Sequence, residues 1–343
     1  MSAKLSFNPK QVVKRLLQAL PPRARDVIIN RYGLGKMPQR MTLEAIGKTY
    51  KITRERVRQI ENYSFGVIRK SDIYKKEQAA NDELMKYINS LGGVVHEEHF
   101  LKKVADDKSV QNHIHFMLVL GDEFKKRKED EDFHHRWFIN EAIAQKVESS
   151  LKKLYESLSS DSLIPEAEMV ASFLDHLKEI SEEYKNDEIL RRWLYLSKKI
   201  SRNPLGEWGL SSSPNIKAKG MRDFAYLAIR RHGSPMHFTE VAKAIQQLFD
   251  REAHVATCHN ELIKDKRFVL VGRGLYALSE WGYASGVVRD VIRELIKKNG
   301  PLSKQEIIDK VLKERYVKEN TIAVNLQNSR FFKKNKDGKY AVI

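Results

Sequence analysis

The sequence predicts a mainly α fold, with an N-terminal helix-turn-helix domain followed by an array of about four winged-helix modules, each three helices plus a β-hairpin. Three observations predict it. Residues 1–80 read as short amphipathic helices punctuated by Pro, Gly and capping Thr. Beyond residue 80 one pattern of helices and a hairpin recurs four times. Only 17 Gly and 9 Pro in 343 residues, with 41% hydrophobic and 31% charged residues, suit several small helical domains better than one large sheet.

The elements of the first domain follow in order. Residues 8–20 form one amphipathic stretch, which Pro21-Pro22 stops. Pro22 serves in the first turn of the next helix, through Tyr32, because its missing N–H is not needed there. Gly33 closes that helix by accepting a positive φ. Thr42 caps a short helix from Leu43 to Lys48, with Leu43, Ala45 and Ile46 facing inward. After the turn Tyr50-Lys51-Ile52, Thr53 caps a longer, basic helix to about Lys70. Two helices joined by a tight polar turn, the second longer and basic, form a helix-turn-helix signature.

The repeat sets the remainder. Its break-plus-helix segments read GGVVHEEHFLKKV from Gly92, SLIPEAEMVASFL from Ser162, GSPMHFTEVAKAI from Gly233 and GPLSKQEIIDKV from Gly300. Its hairpins end on Trp137, Trp208, Tyr276 and Tyr340, spaced 71, 68 and 64 residues apart. The expected domains are therefore 1–80, 81–145, 146–220, 221–283 and 284–343. The third copy is the clearest, with Gly272-Arg273-Gly274 turning between Phe268-Val269-Leu270 and Leu275-Tyr276-Ala277. The stretch SSSPNIKAKG (211–220) reads as the most flexible linker.

Charge is partitioned along the chain. The total of +17 divides into 18 Lys/Arg against 6 Asp/Glu in residues 1–80 (+12), 21 against 25 in 81–220 (−4), and 23 against 14 in 221–343 (+9). A basic end attracts a polyanion, of which nucleic acid is the commonest, whereas the acidic middle repels one. One cysteine, Cys258, excludes a disulfide framework and fits a reducing, cytoplasmic setting. No run approaches eighteen apolar residues, so no membrane span is expected.

The run TLEAIGKTYKITRERVRQIE (42–61), with LPPRARDVIINRYGL (20–34) before it, resembles region 4 of the sigma-70 family of bacterial RNA polymerase sigma factors, whose usual form is close to TLEEIG…TRERVRQIE. The resemblance spans roughly residues 10–72. The helical period independently buries Val57, Ile60, Ser64 and Val67/Ile68 and leaves Arg54, Glu55, Arg58, Gln59 and Asn62 on the opposite face. Arg pairs with guanine, Glu accepts from cytosine and Gln pairs with adenine. The resemblance implies that Arg54, Glu55 and Gln59 read a −35-type promoter element in double-stranded DNA. It places Thr42, Leu43 and Arg58 by the phosphates, where Lys51, Thr53 and Arg56 add backbone contacts. It also implies the flap of the RNA polymerase core as a partner. After Glu61 the chain departs from the family, with Asn62-Tyr63-Ser64-Phe65-Gly66 in place of small and basic residues. About ten residues precede this part, so the promoter-melting region of a full sigma factor is not expected.

Residues 221–283, through the Gly233-Ser234-Pro235-Met236 break and the Gly274-Leu275-Tyr276-Ala277-Leu278 ending, resemble the HARE-HTH winged-helix family, which includes a domain of the RNA polymerase delta subunit. Arg273 and the basic hairpin residues Lys333, Lys334 and Lys336 are the candidate wing contacts to phosphate. Lys125 to Lys128 beside Glu129 to Asp132 read as a solvated hairpin or loop.

Other constellations carry less. His254, Cys258 and His259 share part of a helix face, but nothing completes a metal set. His96/His99, His113/His115 and His134/His135 lie in three different elements and read as scattered packing or surface groups. No G-x-S-x-G elbow and no Gly-Lys-Ser/Thr phosphate loop is present, so no enzyme, cofactor or metal is expected. The expected function is a cytoplasmic, nucleoid-associated transcription factor of RNA polymerase. The alternatives are a delta-like or anti-sigma-like interaction subunit and a DNA-modification specificity component.

Overall fold

The computed structural model of the chain describes residues 5–177, 182–283 and 286–343. Two compact units divide it, Met1–Ser201 and Arg202–Ile343. No described helix is long and apolar enough to cross a membrane.

In the first unit α1 (Pro9–Leu16) begins where Asn8 Oδ1 accepts from the Lys10 and Gln11 N–H groups. The expected single stretch 8–20 tightens after Leu16 into a 3-10 turn, Leu17–Ala19, ahead of the two prolines. Then come α2 (Pro22–Tyr32), α3 (Leu43–Tyr50), α4 (Arg54–Lys70), α5 (Asp72–Lys76) and α6 (Gln78–Ser90). Next are β1 (Val94–His96), α7 (Glu97–Val104), α8 (Lys108–Leu120), β2 (Lys125–Arg127) and β3 (Arg136–Phe138), whose strands form an antiparallel sheet in the order β1-β3-β2. Helices α9 (Glu141–Ser157), α10 (Glu166–His176) and α11 (Asp187–Leu194) follow. Strands β4 (Ile200–Arg202) and β5 (Trp208–Leu210) come next in the chain.

The helices of residues 1–80 share one core with the next element group. Val13, Ile28 and Ile68 belong to the same buried cluster as Leu84, Ile88, Phe116, Met117 and Leu118. Each such side chain gains about 1.5–3 kcal/mol on leaving water, so the cluster welds α8 to α1, α2 and α4. The acidic run Glu129–Asp132 is paired within the chain. Glu129 pairs with Lys198 at 2.8 Å, Glu131 with Lys199 at 2.8 Å and Asp132 with Lys152 at 3.0 Å. The hairpin expected to be solvated is largely exposed, and ion pairs anchor it: Arg127 bonds Glu141 and Glu148, and Lys126 lies over the Trp137 ring beside Glu97.

The second unit contains α12 (Met221–His232), β6 (Met236–His237), α13 (Phe238–Phe249), α14 (Val255–Lys264), β7 (Phe268–Gly272) and β8 (Leu275–Leu278), with sheet order β6-β8-β7. It continues with α15 (Val288–Asn299), α16 (Lys304–Glu314), α17 (Glu319–Leu326), β9 (Phe332–Lys334) and β10 (Tyr340–Val342). Leu302, between α15 and α16, bridges to Tyr340 on β10. Helix, short strand, two helices and two strands thus recur in the same order from α6 and from α12, and from α15 the single bridge at Leu302 stands in the place of the short strand. Ile292, Ile307, Val311, Ile322, Leu326 and Phe332 form the last core. The expected boundary after residue 283 falls beside residues 284–285, which lie outside the described residues.

One expectation is corrected. The stretch 211–220 is packed, because Ile216 is buried and the Asn215 amide oxygen accepts from Arg267 Nη1 at 2.9 Å. Its Ser and Pro content signalled freedom, but the contacts that fix it come from residues about fifty positions away.

Candidate nucleic-acid interface

The helix-turn-helix is built by local rules. Thr42 Oγ1 accepts from the Ala45 N–H at 3.1 Å and caps α3, which runs two residues beyond the expected Lys48. Lys51 then adopts a left-handed φ of 55°, and the Ile52 N–H returns to the Gly47 carbonyl at 2.9 Å. Thr53 Oγ1 accepts from the Arg56 N–H at 3.1 Å and caps α4. The turn requires Gly47: a Cβ there would stand 2.6 Å from the Ile52 carbonyl oxygen, backbone that cannot swing aside. Inside, Val27 of α2, Ile46 of α3 and Val57 of α4 are buried together, with Met41, Leu43, Tyr50, Ile52 and Ile60 packed around them.

This packing turns Arg54, Glu55, Arg58, Gln59 and Asn62 outward, and all five are exposed. Within the face two pairs form. Arg58 donates to both Glu55 oxygens at 2.7 to 3.2 Å, and Arg56 Nη1 donates to Gln59 Oε1 at 3.0 Å. The Arg58 hydrogen bond holds the Glu55 carboxyl below the usual carboxylate range, so it stays an acceptor. Arg54 and Lys51 carry no side-chain hydrogen bond or ion pair among the described residues, and their donors face water. Leu43 is half-buried in the small core, which leaves its backbone as the part able to meet a ligand. The Thr42 and Thr53 hydroxyls already accept from the helix ends and keep one O–H each to donate.

Sequence patterning missed two supporting groups. Glu61 is buried on α4, where it accepts from the Tyr32 hydroxyl at 2.8 Å and Arg31 Nε at 3.3 Å. Burial first, and the Glu61 charge next, push the Tyr32 hydroxyl up, so it remains the donor. The i, i+4, i+7, i+11 spacing of Val57, Glu61, Ser64 and Ile68 could have revealed it. Asn112 of α8 is fully buried; its amide donates to the Gly33 carbonyl at 3.1 Å and the Pro38 carbonyl at 2.9 Å and accepts from Arg40 Nε at 2.9 Å. It clamps the loop between α2 and α3 from more than seventy residues away, beyond any local signal. At the other end of α4, Arg69 donates to the Leu120 carbonyl at 2.8 Å and pairs with Asp122 at 3.0 Å, closing the C-terminus of α8.

The remaining candidates are dispersed. Arg273 is exposed in the β7–β8 turn, where Gly274 takes a left-handed φ of 73° that side chains rarely adopt, with the His237 ring close by. Lys333, Lys334 and Lys336 are exposed in a different hairpin, β9–β10. The histidines expected to be scattered converge in part: the His96 ring lies 4.2 Å from His99 and 4.8 Å from His134, ring centre to ring centre. Burial, then the neighbouring rings, lower His96 to about 4. His113 and His115 lie apart on α8, His115 near Trp137 and Glu97. Cys258 is buried, which pushes its thiol up to about 11. Among the described residues no three or more His, Cys, Asp or Glu are placed to hold a metal ion.

Residues 16–70 match sigma-70, region 4. The matched stretch begins at the last residue of α1 and ends with the last of α4, so it contains α2, the clamped loop and the whole helix-turn-helix. Curated relatives include the RNA polymerase sigma factor SigA of Nostoc sp., 48% identical over 54 residues, 15% of this chain and 13% of that protein. The SigA proteins of Microcystis aeruginosa and Synechocystis sp. are also 48% identical over 54 residues, 15% of this chain and 12% of theirs. The chain thus spans about an eighth of the length of these sigma factors.

Proposed function

We propose that this chain is a cytoplasmic, nucleoid-associated bacterial transcription factor that binds promoter-like double-stranded DNA through α4 and associates with RNA polymerase, without performing chemistry. The observation that carries the proposal is the outward face of α4, Arg54 to Asn62, positioned by the Val27–Ile46–Val57 core within the segment that matches sigma-70, region 4. A second helix presenting its N-terminal residues to the major groove reads base edges. Arg54, Glu55 and Gln59 take that role. Arg58, Arg56, Lys51, Thr53, Thr42 and the Leu43 backbone contact phosphates. The Arg58–Glu55 and Arg56–Gln59 pairs orient these groups before DNA arrives and exchange partners on binding. The flap of the polymerase core is the proposed protein partner.

In this reading the recurring helix and hairpin groups at 81–145, 146–220, 221–283 and 284–343 are winged-helix modules, the third of HARE-HTH type, with Arg273, Lys333, Lys334 and Lys336 as wing cations. A second reading, a delta-like or anti-sigma-like subunit whose array grips protein, draws on the internal pairing of Glu129, Glu131 and Asp132 with Lys198, Lys199 and Lys152. That pairing leaves the middle of the chain little charge for DNA. One experiment separates the two. Fluorescence anisotropy of the full chain on duplexes selected from a random pool should show a steep fall of log affinity with log salt. Arg54→Ala should relax preference at one base position by about 1–3 kcal/mol. Weak binding that ignores salt, with polymerase still co-purifying, rejects the DNA reading and leaves the subunit reading.

A further inference from the structure

A cavity of about 760 Å³ opens between α1, α2, the loop that follows α2 and the start of α8. That volume lies within the range of small-molecule sites, about 300–1,000 Å³. None of the residues assigned above to DNA lines it.

Helix α1 and the turn after it supply one wall. Lys10, Val13, Lys14 and Leu17 fall at i, i+3, i+4 and i+7, so two cations and two apolar side chains share that wall. Ile29 of α2 and Leu34 and Pro38 of the loop continue the apolar floor.

The charge around this floor is one-sided. Lys10, Lys14, Arg25 and Lys36 line the cavity against a single acid, Asp107, so four positive charges and one negative leave +3. Lys10 engages Asp107 at 2.8 Å, while Lys14 and Lys36 are exposed and form no ion pair among the described residues. Arg25 is held without a carboxylate. Its Nε and Nη2 donate to the Leu17 and Leu20 carbonyls at 2.9 and 3.0 Å, which fixes the guanidinium and leaves its other N–H groups to bond elsewhere.

The far wall adds an acceptor. His113 Nδ1 lies 2.7 Å from the Ser109 carbonyl, and because a carbonyl only accepts, Nδ1 carries the hydrogen. Burial holds the His113 ring below the ordinary histidine range, so near pH 7 it is neutral and Nε2 accepts. A ligand that satisfies the whole lining carries negative charge for the cations, an apolar body for the aliphatic floor and a hydroxyl or amine to donate to His113. Duplex DNA offers the charge, but its bases are stacked inside the helix and leave such a floor bare.

We propose that this cavity binds a nucleoside phosphate. The phosphates pair with Lys14, Lys36 and the Arg25 fork, the base rests on the aliphatic floor, and a hydroxyl donates to His113 Nε2. The site is separate from α4 and does not rest on the DNA-binding reading.

The test is equilibrium dialysis of the full chain against ADP, GDP, CDP and UDP, with the parent nucleosides and inorganic phosphate as the two halves of the ligand. At least one diphosphate should bind about tenfold or more tighter than its nucleoside and than inorganic phosphate. Lys14→Gln with Lys36→Gln, which keeps the stems of two exposed side chains, should weaken that binding about tenfold or more. Lys76→Gln with Lys86→Gln removes the same charge away from the cavity and should leave it within about twofold. Thermal midpoints check that the variants fold, and the ligand comparison on the native chain stands without them. The proposal is overturned if all four diphosphates fail to bind at millimolar concentration, if none binds tighter than inorganic phosphate, or if the two lysine pairs weaken binding equally. Full displacement of the bound diphosphate by a short DNA duplex, in a chain that also carries Arg54→Ala and Arg58→Ala, overturns it as well, because the cations then belong to the DNA backbone.

Discussion

Helices α8 and α17 stand third in their helix groups, and they have opposite fates. Helix α8 carries Asn112, His113 and His115 yet is enclosed, and its polar groups are spent on neighbours such as the Gly33 and Pro38 carbonyls. Helix α17 carries Asn320 and Thr321 in the open, and Gln327 is exposed just past its end. The difference teaches that the order of elements does not assign a role. What covers a helix decides whether an Asn acts as an internal clamp or as a contact for something outside.

The same substitution at the two sites should therefore diverge most sharply at α8. Asn112→Ala strips two buried carbonyls and the Arg40 guanidinium of a partner, and urea denaturation should report a loss of about 3 kcal/mol. A loss below about 1 kcal/mol would mean that water replaces the amide and that the clamp is dispensable. The helix-turn-helix that α8 supports should be nearly as sensitive. Gly47→Ala forces a Cβ against the Ile52 carbonyl and should cost about 2 kcal/mol, with a matching fall in DNA affinity at temperatures near the transition.

Acid should distinguish the enclosed helix from the open one. Burial, then the Arg40 charge, lowers His115 from 6.5 to about 3, so it is neutral in the folded chain where an unfolded histidine is protonated. The unfolded state thus binds more protons between these values, and stability is full above pH 6.5 and declines as pH falls toward 3. Denaturation midpoints at pH 7.5 and pH 5.0 should differ less in His115→Gln than in the native chain. An equal difference would place the acid sensitivity in other groups, His96 first. The smallest effect is expected at α17: Asn320→Ala should change stability by no more than about 0.5 kcal/mol, because its side chain is exposed. A larger loss would show that α17 is covered in solution as α8 is.

Much of the candidate interface was legible because it is made by short-range rules. Thr42 and Thr53 cap where expected, Gly33 takes the left-handed conformation, and the period of α4 places Arg54, Glu55, Arg58, Gln59 and Asn62 outside. Glu61 was passed over because a carboxylate gives no signal of burial until Tyr32 and Arg31 are seen to meet it. The stretch 211–220 was misjudged for the complementary reason. Polar and small residues read as mobile until Arg267 and the core around Ile216 are seen to hold them.

The sequence alone determined the helices, their caps, the turn between α3 and α4 and the uneven charge, since each depends on residues within a few positions or on simple sums. Only the tertiary structure decided that α8 clamps the loop leading into the helix-turn-helix, that the acidic run Glu129–Asp132 is paired within the chain, and that the outer face of α17 stays uncovered. Burial and pairing are settled by partners tens of residues away, and the periodicity of a helix says which face is apolar but not what will lie against it.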